Sequence, residues 1–169
     1  MVDLFKAQKD AKTGVILKSG NIEKVANSIK YFEKKSIDTL YISGIHKRSG
    51  NDPYAIESRL SIEESIGGEE QFKELLVDGL HEKNMKIIVD LFDRVGSQNM
   101  KLKNRHLLTS HLTLNNILVT AHGAEGKSNF SYSNTTLPNY RKKCAWDILI
   151  DEAVQFVEEF QVDGLHLDN

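Results

Sequence analysis

The chain has 169 residues, with 22 Lys and Arg against 24 Asp and Glu, so its net charge is -2 and it has no basic footprint for nucleic acid. A single cysteine excludes an intramolecular disulfide framework and a four-cysteine zinc site. With 40% hydrophobic and 27% charged residues, the composition is that of an ordinary globular chain able to bury a core. No apolar h-region follows Met1, and no run approaches the roughly 18 apolar residues of a membrane span. A cytoplasmic chain without a membrane partner is therefore expected.

Gly14 to Leu17 (GVIL) reads as a short buried strand. Ile22, Val25, Ile29 and Phe32 then recur at helical spacing behind Asn21, a suitable N-cap. Ile37 to Ser43 (IDTLYIS) is rich in β-branched and aromatic residues and predicts a second strand. After Gly67 and Gly68 the spacing predicts a helix with Phe72, Leu75, Leu76 and Leu80 on one face. Its first turn carries Glu69 and Glu70, where the helix dipole favours negative charge. Lys86 to Phe92 (KIIVDLF) is the clearest strand, and its near-continuous apolar run predicts burial on both faces.

Residues 97–139 break this rhythm and read as an excursion carrying a small hairpin, within one domain of residues 1–169. Arg141 to Gln161 predicts a long amphipathic helix, with Trp146, Ile150, Val154 and Phe160 towards the core. Val162 to Leu167 returns to strand. Strands alternating with helices predict an α/β fold with right-handed crossovers and a parallel sheet. In such sheets, chemistry gathers at the C-terminal strand ends.

The second strand leads into a polar loop carrying His46, Asp52 and Tyr54. The third carries Asp90, followed by Asp93 and Arg94, and the fourth carries His166 and Asp168. Period-two alternation puts His166 and Asp168 on one side of their strand. A carboxylate within an apolar strand must be partnered or functional, because an unpaired buried charge is costly. Asp90 is then either a paired structural group or a working one, and His166 either a hydrogen-bonded core histidine or a catalytic one. The histidines show no HExxH spacing, and neither a P-loop nor a dinucleotide fingerprint is present. No cofactor or transition-metal site is expected, and a structural calcium ion has no support in the residues.

Several segments together resemble glycoside hydrolase family 13, the α-amylase superfamily. Asp38 to Asp90 is similar to that family's path from barrel strand two to strand three: a strand, a loop with a substrate-contacting tyrosine, a glycine-led helix start, and a strand ending in aspartate. Those positions match Tyr54, Gly67 to Phe72, and Asp90, although Gln71 stands where the helix start carries an acid. VDGLHLDN resembles the fourth-strand motif, and its Asp-Asn ending is similar to the glycogen-debranching and maltosyltransferase branch.

The resemblance implies strands one to four of a (β/α)8 barrel acting on α-glucan or oligosaccharide. It implies Asp168 as nucleophile, with His166 and Asp90 supporting it, and Tyr54, His46 and Arg94 in substrate contact. Two departures stand out. Arg94 and Val95 occupy positions where the family carries asparagine and histidine, and His166 replaces the arginine that orients the nucleophile. Retaining glycoside chemistry uses two carboxyl groups about 5 Å apart. A whole barrel takes about 250 residues, so the acid/base on strand five and a further aspartate on strand seven fall outside the chain.

The stop one residue after Asp168 suggests truncation, leaving a sheet edge for the missing half-barrel or another subunit to cover. Three hypotheses follow: a glucan hydrolase or transferase whose remaining barrel is supplied elsewhere, an inactive amylase-like scaffold within an assembly, and an unrelated doubly wound binding domain.

Overall fold

The computed structural model describes residues 16–17, 21–50, 53–92, 95–96, 112–114, 117–119, 135–136, 138, 140 and 142–168. Strand β1 (Ile16–Leu17) is followed by helices α1 (Ile22–Asn27) and α2 (Ile29–Lys34) and by β2 (Thr39–Ile42). The helix expected after Asn21 is thus two short helices meeting at Ser28, and Asn21 caps the first by accepting from the Lys24 amide at 3.4 Å. Next come β3 (His46–Arg48) and β4 (Ile56–Ile62).

The following helical stretch consists of α3 (Gly68–Glu70), a π-helical run (Gln71–Val77) and α4 (Asp78–His81). Strand β5 (Lys86–Phe92) keeps the bounds read from the sequence. Four short strands follow: β6 (Val95–Gly96), β7 (Leu112–Leu114), β8 (Ile117–Val119) and β9 (Thr135–Thr136). Helix α5 (Lys143–Phe160) and strand β10 (Gly164–Asp168) complete the chain.

Four strands form one parallel sheet in the order β1-β2-β5-β10, as the alternation predicts. Tyr41 stands opposite Ile88, and His166 opposite Asp90. This is an α/β fold of partial (β/α)8-barrel type. Among the described residues, the excursion contains the antiparallel β7–β8 hairpin, and β9 within it pairs back to β6 just before it. The polar loop after β2 is itself a bulged antiparallel hairpin, β3 with β4, which the turn-rich sequence does not announce. Ser36, Asn84 and Gln161 adopt left-handed backbone just before β2, β5 and β10, so the three turns from helix to strand use the same device.

Alternation divides the sheet into two faces. Leu40, Ile42, Ile87 and Val89 are buried in the core that the helices form on one side. Tyr41, Ile88, Asp90 and His166 occupy the other. The core centres on an aromatic cluster in which Phe72, Phe156 and Phe160 have centroids 4.6–6.4 Å apart. Phe156 also meets the His46 ring edge-on at 5.0 Å. At the opposite end of the strands, Asp163 Oδ2 accepts from the Ile87 amide at 2.8 Å and contacts His81 Nε2 at 3.0 Å.

Two expectations about helix faces are corrected. The core side of α5 is Ala145, Ile148, Leu149, Glu152, Phe156 and Phe160, while Trp146, Ile150 and Val154 are exposed. The apolar count pointed to the wrong face because the true one contains a glutamate. Glu152 is buried there because Arg59 Nη1 of β4 pairs with it at 2.8 Å, at side-chain exposures of 6% and 1%. Leu75 also points outward, whereas Phe72, Leu76 and Leu80 are buried. The wider π turn rotates a residue three places on away from the core stripe.

The Arg59–Glu152 pair clamps the β3–β4 hairpin to α5. Arg59→Met alone removes the ion-pair partner of a buried carboxylate, and about 3–5 kcal/mol of stability should be lost. The double variant R59M/E152L should recover most of that loss, because removing both charges removes the desolvation cost with the pairing. Urea denaturation of the four proteins of this cycle measures the coupling.

His46 supplies a second test. Burial lowers its pKa from 6.5 to about 4, opposed by its hydrogen bond to the Asp90 carbonyl and assisted by the Arg59 charge. Below pH 6.5 the unfolded chain gains a proton there that the folded chain takes only near pH 4. Folding stability must therefore fall as pH falls through this window, by about 1.4 kcal/mol per unit at most. Urea midpoints between pH 7 and 4.5 should drop less steeply in His46→Gln than in the parent chain.

Candidate active site

Strands β2, β5 and β10 end at the same rim, and each contributes one polar side chain to a cluster. Asp90 is the centre. Its side chain is 1% exposed, although it sits in the strand richest in apolar residues. The cost of burying a carboxyl group is met by partners on both flanking strands. Tyr41 of β2 donates its hydroxyl to Asp90 Oδ1. His166 of β10 brings Nδ1 to 2.9 Å from the same oxygen and to 3.0 Å from the Tyr41 hydroxyl. The Tyr41 and His166 rings meet edge-on at 5.0 Å. Parallel register makes this possible, because His166 lies directly beside Asp90 and faces the same way.

The main chain of Asp90 is held as well. His46 Nε2–H donates to the Asp90 carbonyl at 2.7 Å. The hairpin β3–β4 brings that imidazole back beneath the rim, where it is fully buried against Phe156. The low pKa of His46 keeps it a neutral, single-proton donor under ordinary conditions.

Of the residues singled out from sequence, Asp90 and His166 are brought into contact and His46 is placed directly behind Asp90. Tyr54 lies in the turn joining β3 to β4, 40% exposed. Asp52, Asp93 and Arg94 lie outside the described residues. The backbone of Asp168 pairs with Phe92 at the end of β10, and its side chain lies outside the described set. Tyr41 was missed, yet strand alternation contains the signal: Leu40 and Ile42 point to the core, so Tyr41 must share the face of Asp90. Among the described residues, no group of three or more His, Cys, Asp or Glu side chains is arranged to hold a metal ion. No helix among them is long and apolar enough to cross a membrane.

Residues 3–109 match the alpha-amylase catalytic domain. Alpha-amylase 2 of Dictyoglomus thermophilum is 24% identical over 172 aligned residues, covering 99% of this chain and 30% of that protein. The intracellular maltogenic amylase of Bacillus subtilis strain 168 is 24% identical over 162 aligned residues, covering 88% of this chain and 26% of its own length. The chain thus spans less than a third of either relative. The crystal structure of a noncanonic maltogenic alpha-amylase from Thermotoga neapolitana superposes with a TM-score of 0.70 at 22% identity, over 92% of this chain and 38% of that one. With most of its length matched to the catalytic domain and its fold shared with such enzymes, the chain belongs to glycoside hydrolase family 13, the α-amylase superfamily.

Proposed function

We propose that these 169 residues form the N-terminal half of a catalytic barrel that hydrolyses or transfers α-1,4-linked glucan with retention. The observation that carries this reading is the meeting of Asp90 and His166 at 2.9 Å, on neighbouring strand ends of an α-amylase-family sheet. In this reading Asp168 is the nucleophile, two residues beyond His166 on the same strand. Asp90 and His166 support it, Tyr54 stacks on a sugar ring, and Arg94 lies beside the substrate. His46, fully buried, acts from behind by fixing the Asp90 main chain.

The acid/base carboxyl group comes from the remainder of the barrel. That remainder also covers the outer edge of β10, where Leu167 is exposed, and the exposed Trp146, Ile150 and Val154 of α5. The substitution of histidine for the family's arginine at position 166 favours a second reading, an inactive amylase-like scaffold in a larger assembly.

Activity separates the two. The 169-residue chain alone should release no maltose or glucose from starch. Joined to the rest of its barrel it should do so, and Asp168→Asn should then lower kcat by several orders of magnitude, with the products followed by reducing-sugar assay. An assembled barrel that binds maltooligosaccharides but leaves them intact would support the scaffold instead.

A further inference from the structure

We propose that His166 is a tautomer-locked imidazole that presents a bare acceptor nitrogen at the site, and not a replacement for a fixed positive charge. The inference rests on the reading of these strand ends as a saccharide-processing site.

The argument begins with hydrogens. Asp90 Oδ1 accepts the Tyr41 hydroxyl hydrogen. A carboxylate can only accept, so the hydrogen between Asp90 and His166, at 2.9 Å, belongs to Nδ1. Tyr41 has already spent its hydrogen on Asp90, so towards Nδ1, 3.0 Å away, its oxygen also presents a lone pair. Both neighbours therefore require Nδ1–H. In the neutral ring Nε2 is then bare, the reverse of the arrangement that a free histidine side chain favours in water. The ring is 49% exposed while Asp90 is 1% exposed, which leaves Nε2 on the accessible edge.

An arginine at this position would hold its charge throughout and exchange no proton. An imidazole tied through Nδ1 to a buried carboxylate has a different capacity. Nε2 accepts the hydrogen bond of a saccharide hydroxyl held against it, the polarisation of the ring is stabilised by Asp90, and no bond to carbon forms or breaks at this nitrogen. Among the described residues, Tyr41 from β2 and Asp90 from β5 are the titratable groups that contact the ring. Tyr41 is thus a positioning residue: it holds Asp90, and through Asp90 it fixes which nitrogen of His166 faces outward.

The test starts with the 169-residue chain labelled with 15N-histidine, at pH 8, where long-range 1H–15N correlation reports the tautomer directly. His166→Gln assigns the signal. The expected result is a protonated Nδ1 and a bare Nε2, with diethyl pyrocarbonate modifying the His166 peptide and sparing buried His46. Asp90→Asn should release the lock. If that variant does not fold, the tautomer read by 1H–15N correlation in the parent chain still decides.

A neutral Nε2–H ring overturns the proposal, and so does a ring that remains doubly protonated at pH 8. In the assembled barrel, His166→Arg should lower kcat about 100-fold with little change in KM. Unchanged kcat would mean that a fixed cation suffices, which also overturns it. An assembled barrel without glucan activity would remove the functional reading above, while the tautomer measurement would still decide the state of His166.

Discussion

The Asp90 carboxyl group is buried in the middle strand of a parallel sheet, and the architecture around it follows from the need to satisfy it. Within an apolar strand such a group is tolerated only when fully partnered. Each partner comes from a different part of the chain: Tyr41 from β2, His166 from β10, and His46 from the hairpin, which engages the carbonyl of the same residue. The sheet order places β2 and β10 on either side of β5, so both flanks of Asp90 are in reach. A different strand order would leave the carboxyl group stranded.

The hairpin can serve this role only because it is anchored in turn. Arg59 on β4 reaches Glu152 on α5, and the same helix presents Phe156 to the His46 ring. A buried ion pair adds little net stability, but once one member is present the other becomes obligatory. The pair therefore specifies where the hairpin docks more than how tightly it holds. Its charge also helps keep His46 neutral, so the donor to the Asp90 carbonyl is a plain imidazole. A line of contacts thus runs from α5, through Arg59 and His46, to the main chain at the rim.

Much of this was legible in the residues. Lys86 to Phe92 stood out because a near-continuous apolar run fits a strand covered on both sides, and its one carboxylate marked Asp90 as needing a partner. The ordered motifs gave the family and the strand order. What could not be read depends on partners distant in sequence. The buried face of α5 looked wrong because Glu152 counts as polar until Arg59, 93 positions away, is seen beside it. Leu75 was misplaced because simple periodicity assumes α-helical turns, and the π run from Gln71 to Val77 breaks that assumption. The β3–β4 hairpin was hidden by turn-forming residues and by bulges that interrupt alternation. Tyr41 was readable in principle, since its neighbours Leu40 and Ile42 fix its face.

The unequal lengths of the strand pairings carry one more consequence. Among the described residues, β5 is bonded over five residue pairs to β10 and over four to β2, whereas β1 is held to β2 by two. Backbone amides at the centre of β5 are therefore shielded on both sides, while those of β1 depend on one short ladder. Transient opening of the sheet should begin at β1 and reach β5 last. In solvent deuterium, the strand that carries Asp90 would be the slowest of the four to exchange. The rim is thus anchored to the most persistent part of the fold.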